Sequence, residues 1–230
     1  MIFVIAILFM IVSYAVGARL KSKFKKYSQI PLQSNLSGAE IAKLMLADNN
    51  INDVNVTCVA GQLTDHYNPS NKTVNLSEAV YHGRNAASAA VASHECGHAV
   101  QHATAYSMLE FRSAMVPVQN VSGKVLNFIL IASIFGGAFL FQAFPYDMVL
   151  MIVIGAYGVM TLFSFVTLPV EFDASNRALA WIEQRNIVNS NEHGMAKDAL
   201  KWAAMTYVVA AIGSLVTLLY YVSLLMGRSD

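Results

Sequence analysis

Four uninterrupted apolar runs divide the chain: residues 1–17 (MIFVIAILFMIVSYAVG), 125–144 (VLNFILIASIFGGAFLFQAF), 148–168 (MVLMIVIGAYGVMTLFSFVTL) and 206–226 (TYVVAAIGSLVTLLYYVSLLM). None holds a charged residue. Each is long enough, or for the first run nearly long enough, to cross a hydrocarbon core, which takes about 17–25 helical residues. The segments between them are patterned differently. Ser37 and Glu40 stand in capping-box spacing ahead of an amphipathic run and predict a helix to about Asp48. The stretch VNVTCVAGQLTDHYNPSNKTVNLS predicts two or three short strands, with the turn residues 68–71 joining LTDHY to TVNLS as a hairpin. From about Asn85, NAASAAVASHECGHAVQHATA predicts an alanine-rich helix that is too polar for a span and is better buried by protein. Residues 107–124 are expected to form an amphipathic helix leading into the second span. Pro169 is expected to start a further helix carrying VEFDASNRALAWIEQR.

Composition turns these runs into a membrane assignment. Hydrophobic residues make up 56% of the 230 and charged ones 13%, against roughly 25% charged in ordinary soluble domains. So little polar sequence could not cover four buried apolar helices. The expected fold is an α-helical multi-pass membrane protein with four transmembrane helices, residues 1–17 serving as an uncleaved anchor because the positive charge follows the run instead of preceding it. Arg19, Lys21, Lys23, Lys25 and Lys26 mark that following side as cytoplasmic. Residues 28–124 and 169–205 then lie inside. Both termini and the turn between the second and third spans lie outside, and of the 15 lysines and arginines only Arg228 falls outside. The basic cluster fits anionic lipid headgroups, and a net charge of +1 gives no nucleic-acid signal. Cys58 and Cys96 would share a reducing compartment, so no structural disulfide is expected.

The predicted alanine-rich helix carries chemistry. His94 and His98 lie one turn apart on one face, where both imidazoles can reach a single Zn²⁺. Glu95 projects beside them, placed to take a proton from a metal-bound water and deliver it to a leaving amine. Cys96 and Gly97 suggest close packing of another helix, with Cys96 turned away from the histidine face. A catalytic zinc needs a third protein ligand and an open position. His102 lies about 12 Å along a regular helix from His94, too far to share the ion. Glu171 is the better candidate, since the hairpin of spans 125–144 and 148–168 returns the chain to the side that holds the histidines. Asp173 is the reserve ligand or a hydrogen-bond partner of a histidine.

LTDHYNPSNKTVNLSEAVYHGRNAASAAVASHECGHAVQH, taken together with LPVEFDASNRAL, resembles the membrane-bound neutral zinc metallopeptidases of the YugP type over nearly the whole chain. More distantly the layout is similar to the HtpX-type membrane proteases, in which the helix histidines and a glutamate in an E-x-x-A-D pattern hold zinc. The resemblance implies a small α+β zincin-like domain of gluzincin type, one zinc ion, a bacterial cytoplasmic membrane, and protein or peptide substrates. Here the pattern reads Glu171, Ala174, Ser175, so Ser175 replaces the aspartate and either Ser175 or Asp173 orients the histidines. As in zinc proteases generally, the strand before the motif helix is expected to bind substrate. His66 or Tyr67 on it, or Arg177, is then a candidate to stabilise the oxyanion.

The expected function is a membrane-embedded zinc endopeptidase with a cytoplasmic active site. A site-2 protease is disfavoured because the motif helix is alanine-rich and the chain has no Asp-Gly pair. A catalytically inactive zinc-binding membrane scaffold or adaptor is the non-enzymatic alternative, against which the intact Glu95 argues. An oligomer or a regulatory membrane partner is compatible with the sequence but is not read from it.

Overall fold

A computed structural model describes residues 1–227, with backbone only for 138–141; Arg228 lies outside the described residues. The elements are α1 (Ile2–Tyr27), α2 (Gly38–Asp48), β1 (Asn55–Val59), β2 (His66–Asn68), β3 (Thr73–Ser77), α3 (Glu78–Tyr81), α4 (Ala86–Ala103), α5 (Ser107–Ala143), α6 (Tyr146–Gln184) and α7 (Ser190–Met226). The chain divides into two compact units. One comprises Tyr14–Glu110 and Pro169–Thr206, and the other Met1–Ser13, Phe111–Leu168 and the chain from Tyr207.

The first of these holds the sheet and the motif helix. Ser37 caps α2 by accepting from the Glu40 N–H, while the Glu40 carboxylate accepts from the Ser37 N–H at 2.7 Å, so the capping box forms as expected. The three strands run in the order β1-β3-β2. β2 and β3 make the expected antiparallel hairpin, and β1 pairs parallel to β3, placing β3 at the centre. Asp65 closes the hairpin by accepting from the Ser77 N–H at 2.7 Å. Val74 and Leu76 of β3 are buried in one core with Ile41 and Met45 of α2, Val80, and Ile182 of α6.

α4 runs through the middle of this core. Asn85 caps it, its side chain accepting from the Ser88 N–H. Ala86, Ala87, Ala89, Ala90 and Ala92 are fully buried. Small side chains on several faces let neighbours approach closely, and Gly97 shows how closely: a Cβ there would lie 2.5 Å from the Ala174 carbonyl oxygen on α6. Cys96 is buried on another face with Sγ 3.5 Å from the Ala42 carbonyl oxygen, and both cysteines are free thiols.

The other unit is helical. α1, α6 and α7, and the portion 107–137 of α5, are long and apolar enough to cross a membrane, with mean hydropathies of 2.2, 2.3, 2.1 and 1.4. Large apolar side chains such as Phe3, Ile7, Phe128, Phe135, Met151 and Leu219 stand exposed, as lipid-facing surface does. Within this unit Tyr157 stacks on Tyr221 at 5.3 Å between ring centroids, and Phe9 packs against Gly213. Hydroxyls bond back to the preceding turn, Ser133 to Ile129 and Thr217 to Gly213, which satisfies them without water.

One expected course holds and one expected boundary differs. Residues 107–124 lead into the second span within α5, as expected, and the helix kinks at Gly136, where the backbone is non-helical. Pro169 does not begin a helix but sits inside α6, which runs unbroken for 39 residues. At 1.5 Å per residue that is about 58 Å, roughly twice a hydrocarbon core, so α6 holds more than a span. Proline costs a helix one N–H donor and a steric contact. Continuity is kept because residues 170–182 are held by burial, Val170, Ala174, Ala178 and Ile182 being fully buried at helical spacing.

Candidate metal centre

α4 presents His94 and His98 edge to face, their ring centroids 4.8 Å apart. α6 brings Glu171 to them, with Oε2 3.4 Å from His94 Nε2 and 3.7 Å from His98 Nε2. The three ligand atoms all lie within 4.8 Å of one another, and His98 and Glu171 are buried. A tetrahedral zinc with bonds of about 2.0–2.2 Å sets its ligand atoms roughly 3.3–3.6 Å apart. Two imidazoles and a carboxylate at this spacing fit such an ion, and both closest distances need little adjustment.

Electrostatics agree with the geometry. Burial alone would push the Glu171 carboxyl up, but hydrogen bonding to His94 and His98 and their charge hold it far below the usual carboxylate range. Burial likewise works to lower the His98 pKa, and the Glu171 carboxylate outweighs it and raises the value.

The outer nitrogens are engaged. His94 Nδ1 lies 3.1 Å from Ser175 Oγ, and His98 Nδ1 lies 3.0 Å from Gln101 Oε1. This leaves both Nε2 atoms toward Glu171. Ser175 is thus the residue in contact with His94. Asp173 touches neither histidine: its Oδ2 accepts from Gln101 Nε2 at 2.8 Å and from Arg177 Nε at 2.6 Å, so it reaches His98 only through Gln101. Arg177 stays with Asp173 and lies 5.8 Å over the Tyr106 ring.

Glu95 is buried beside the cluster but is not one of its three members. Its Oε2 accepts from the Tyr67 N–H of β2 at 3.0 Å. Tyr67 pairs with Val74 across the hairpin, and its main-chain N–H turns away from β3 to meet α4. The Tyr67 hydroxyl lies 2.7 Å from His102 Nδ1, which accounts for His102 outside the ligand set. His66 is exposed, its Nδ1 2.8 Å from the Thr64 carbonyl oxygen. Sequence reasoning missed Gln101. Its signal was its place three residues after His98, which puts the two on one helix face.

No solved structure matches the chain. A curated relative, "Putative membrane protease YugP" of Bacillus subtilis (strain 168), is 37% identical over 212 residues, covering 92% of this chain and 91% of its own. The family described as "Putative neutral zinc metallopeptidase" matches residues 2–226, and the chain belongs to that family.

Proposed function

We propose that the protein is a membrane-embedded zinc-dependent endopeptidase that works by Glu95-assisted attack of water on a peptide bond. The observation that carries this reading is the convergence of His94 Nε2, His98 Nε2 and Glu171 Oε2 beside a buried Glu95. His94, His98 and Glu171 would hold one zinc ion. When bound, zinc supplies a Lewis acid that makes a water in its open position easier to deprotonate and polarises the substrate carbonyl. Glu95 is the general base: one oxygen is held by the Tyr67 N–H, which fixes the carboxylate while the other takes the proton and passes it to the leaving amine. β2 is an edge strand, and because its Tyr67 N–H is given to Glu95 an extended substrate would meet it there through the Tyr67 carbonyl oxygen.

A structural zinc site has no need of such a base, which favours catalysis over a scaffold role. The test is zinc content and proteolysis of the detergent-purified protein beside Glu95→Gln and Glu171→Ala, read on casein and on self-cleavage. Glu95→Gln is expected to keep one zinc and lose cleavage, and Glu171→Ala to lose both. Zinc-loaded wild type and Glu95→Gln that behave alike across a panel of substrates would establish the scaffold instead.

The active site is assigned to the cytoplasmic side, with both termini outside, from the basic residues that follow the first span. Cys58 is the exposed thiol and Cys96 is buried. A membrane-impermeant maleimide added to intact cells should leave Cys58 unlabelled until the membrane is opened. Labelling of intact cells would reverse the topology.

A further inference from the structure

Gln101 is fully buried, and its carboxamide has three polar neighbours: the Val170 carbonyl oxygen at 2.8 Å, Asp173 Oδ2 at 2.8 Å and His98 Nδ1 at 3.0 Å. The chemistry of those neighbours decides which way the amide faces. A main-chain carbonyl can only accept. Asp173 Oδ2 is also the acceptor for Arg177 Nε. These two oxygens use both hydrogens of the Gln101 NH₂ group, and the reversed amide would set its own oxygen against both of them. Oε1 therefore faces His98.

Oε1 has no proton to give, so the hydrogen bond requires a proton on His98 Nδ1. A neutral imidazole protonated at Nδ1 carries its lone pair on Nε2, and Nε2 is the atom that faces Glu171. His94 is treated differently. A serine hydroxyl can donate or accept, so Ser175 does not by itself dictate the tautomer of His94.

We infer that Gln101 is the positioning residue of His98: locked by Val170 and Asp173, its carboxamide oxygen fixes the His98 tautomer and ring orientation so that Nε2 is presented to the metal. Arg177 acts through the same chain by holding Asp173. This rests on the reading of His94, His98 and Glu171 as a zinc site. It also gives α6 two connections to the histidines besides Glu171, directly through Ser175 and through Gln101.

The test is zinc affinity of the full-length, detergent-purified protein at neutral pH, by competition with a chromogenic chelator. The variants are Gln101→Leu, Gln101→Glu, Gln101→Glu combined with Asp173→Asn, and Ser175→Ala. Gln101→Leu should weaken zinc binding about 10–100-fold, the usual consequence of removing a partner behind a ligand histidine, and should do so more than Ser175→Ala. Gln101→Glu alone places a carboxylate against Asp173 and should bind comparably poorly. Adding Asp173→Asn supplies an amide that donates to the new carboxylate, whose other oxygen still accepts from His98 Nδ1–H; the Val170 carbonyl oxygen still loses its donor, so the double variant should bind zinc more tightly than Gln101→Glu alone but below wild type.

That rescue separates a positioning role from a fold defect, because a site that had merely misfolded would not recover with a second substitution. ¹⁵N–¹H correlation spectra of zinc-loaded wild type should show the His98 proton on Nδ1. Wild-type affinity in Gln101→Leu, no recovery in the double variant, or a His98 proton on Nε2 would each overturn the inference. Wild type that takes up no zinc, or His98→Ala and Glu171→Ala that keep it, would remove the metal centre itself, and the Gln101 variants are not needed to see that.

Discussion

α4 and the amino-terminal half of α1 are both rich in apolar residues, and the structure uses them in opposite ways. In α4, 14 of 18 residues are buried, among them Ser88, Ser93, Glu95, His98 and Gln101. In α1, Phe3, Val4, Ile7, Leu8, Met10 and Ile11 are exposed. The difference lies in side-chain size more than in hydropathy. Alanine and glycine let protein close around α4, and the polar groups enclosed there find partners. Large aliphatic side chains with no polar groups suit a surface whose solvent is lipid, where bare helix is the stable state.

The contrast sharpens most when zinc is removed. A ligand present at 1,000 times its dissociation constant stabilises by about 4 kcal/mol, and that stabilisation falls on α4 and the 169–205 segment. Chelation should accelerate amide hydrogen exchange in peptides covering 86–103 and 170–182 and leave those of residues 2–13 unchanged. Equal acceleration in both would mean that the two regions are not energetically distinct.

The metal-free protein also has a defined pH response. His98, with its pKa raised, contributes stability that is complete below its ordinary value of about 6.5 and is lost as pH rises through the folded value. Glu171, held low, contributes stability that is complete above about 4.5 and is lost as pH falls through its folded value. The metal-free melting temperature should therefore be highest between about pH 4.5 and 6.5. The gap between zinc-loaded and zinc-free protein should widen as pH rises above that window, because the ligands must shed protons to bind metal. A gap independent of pH would show that the proton and the metal do not share the site.

Gly97→Val comes next in size. With the Ala174 carbonyl oxygen 2.5 Å from any Cβ, overpacking should cost about 3 kcal/mol, the upper end of the usual range, measured as a lowered unfolding midpoint with parallel loss of zinc. Smaller is Asp48→Asn, which loosens the contact of α2 with Trp181 on α6 and with Arg185 just past its end. As a partly exposed ion pair it should cost roughly 0.2–1 kcal/mol, and less in high salt. Leu8→Ala, on the exposed face of α1, should leave zinc binding and the unfolding midpoint within about 0.5 kcal/mol of wild type.

Much of this was legible in the chain because it rests on local signals. Uncharged runs announce the four apolar helices, Ser37 and Glu40 announce a cap, and His94 with His98 announce one helix face. Glu171 was reached by following the chain out and back. The parallel pairing of β1 with β3 was not legible, since it depends on which strands meet in space and not on either strand's pattern. Nor was the unbroken course of α6 through Pro169: local propensity argues for a break there, and the burial of Val170, Ala174, Ala178 and Ile182 overrides it. Gln101 reads as an ordinary polar residue until α6 brings Val170 and Asp173 against it. The Asp-to-Ser departure at position 175 was visible in the sequence, but only the structure shows its hydroxyl at His94.

The unit that holds the metal centre is discontinuous: α4 lies in its first segment, and Glu171 and Ser175 in its second. Between His98 and Glu171 the ribosome must add roughly 70 residues, which at about 5–20 residues per second takes several seconds. During that interval the nascent chain carries His94, Glu95 and His98 but not Glu171. On the proposed reading, a peptidase built this way would complete its active centre late in its own synthesis, after most of its chain has been made.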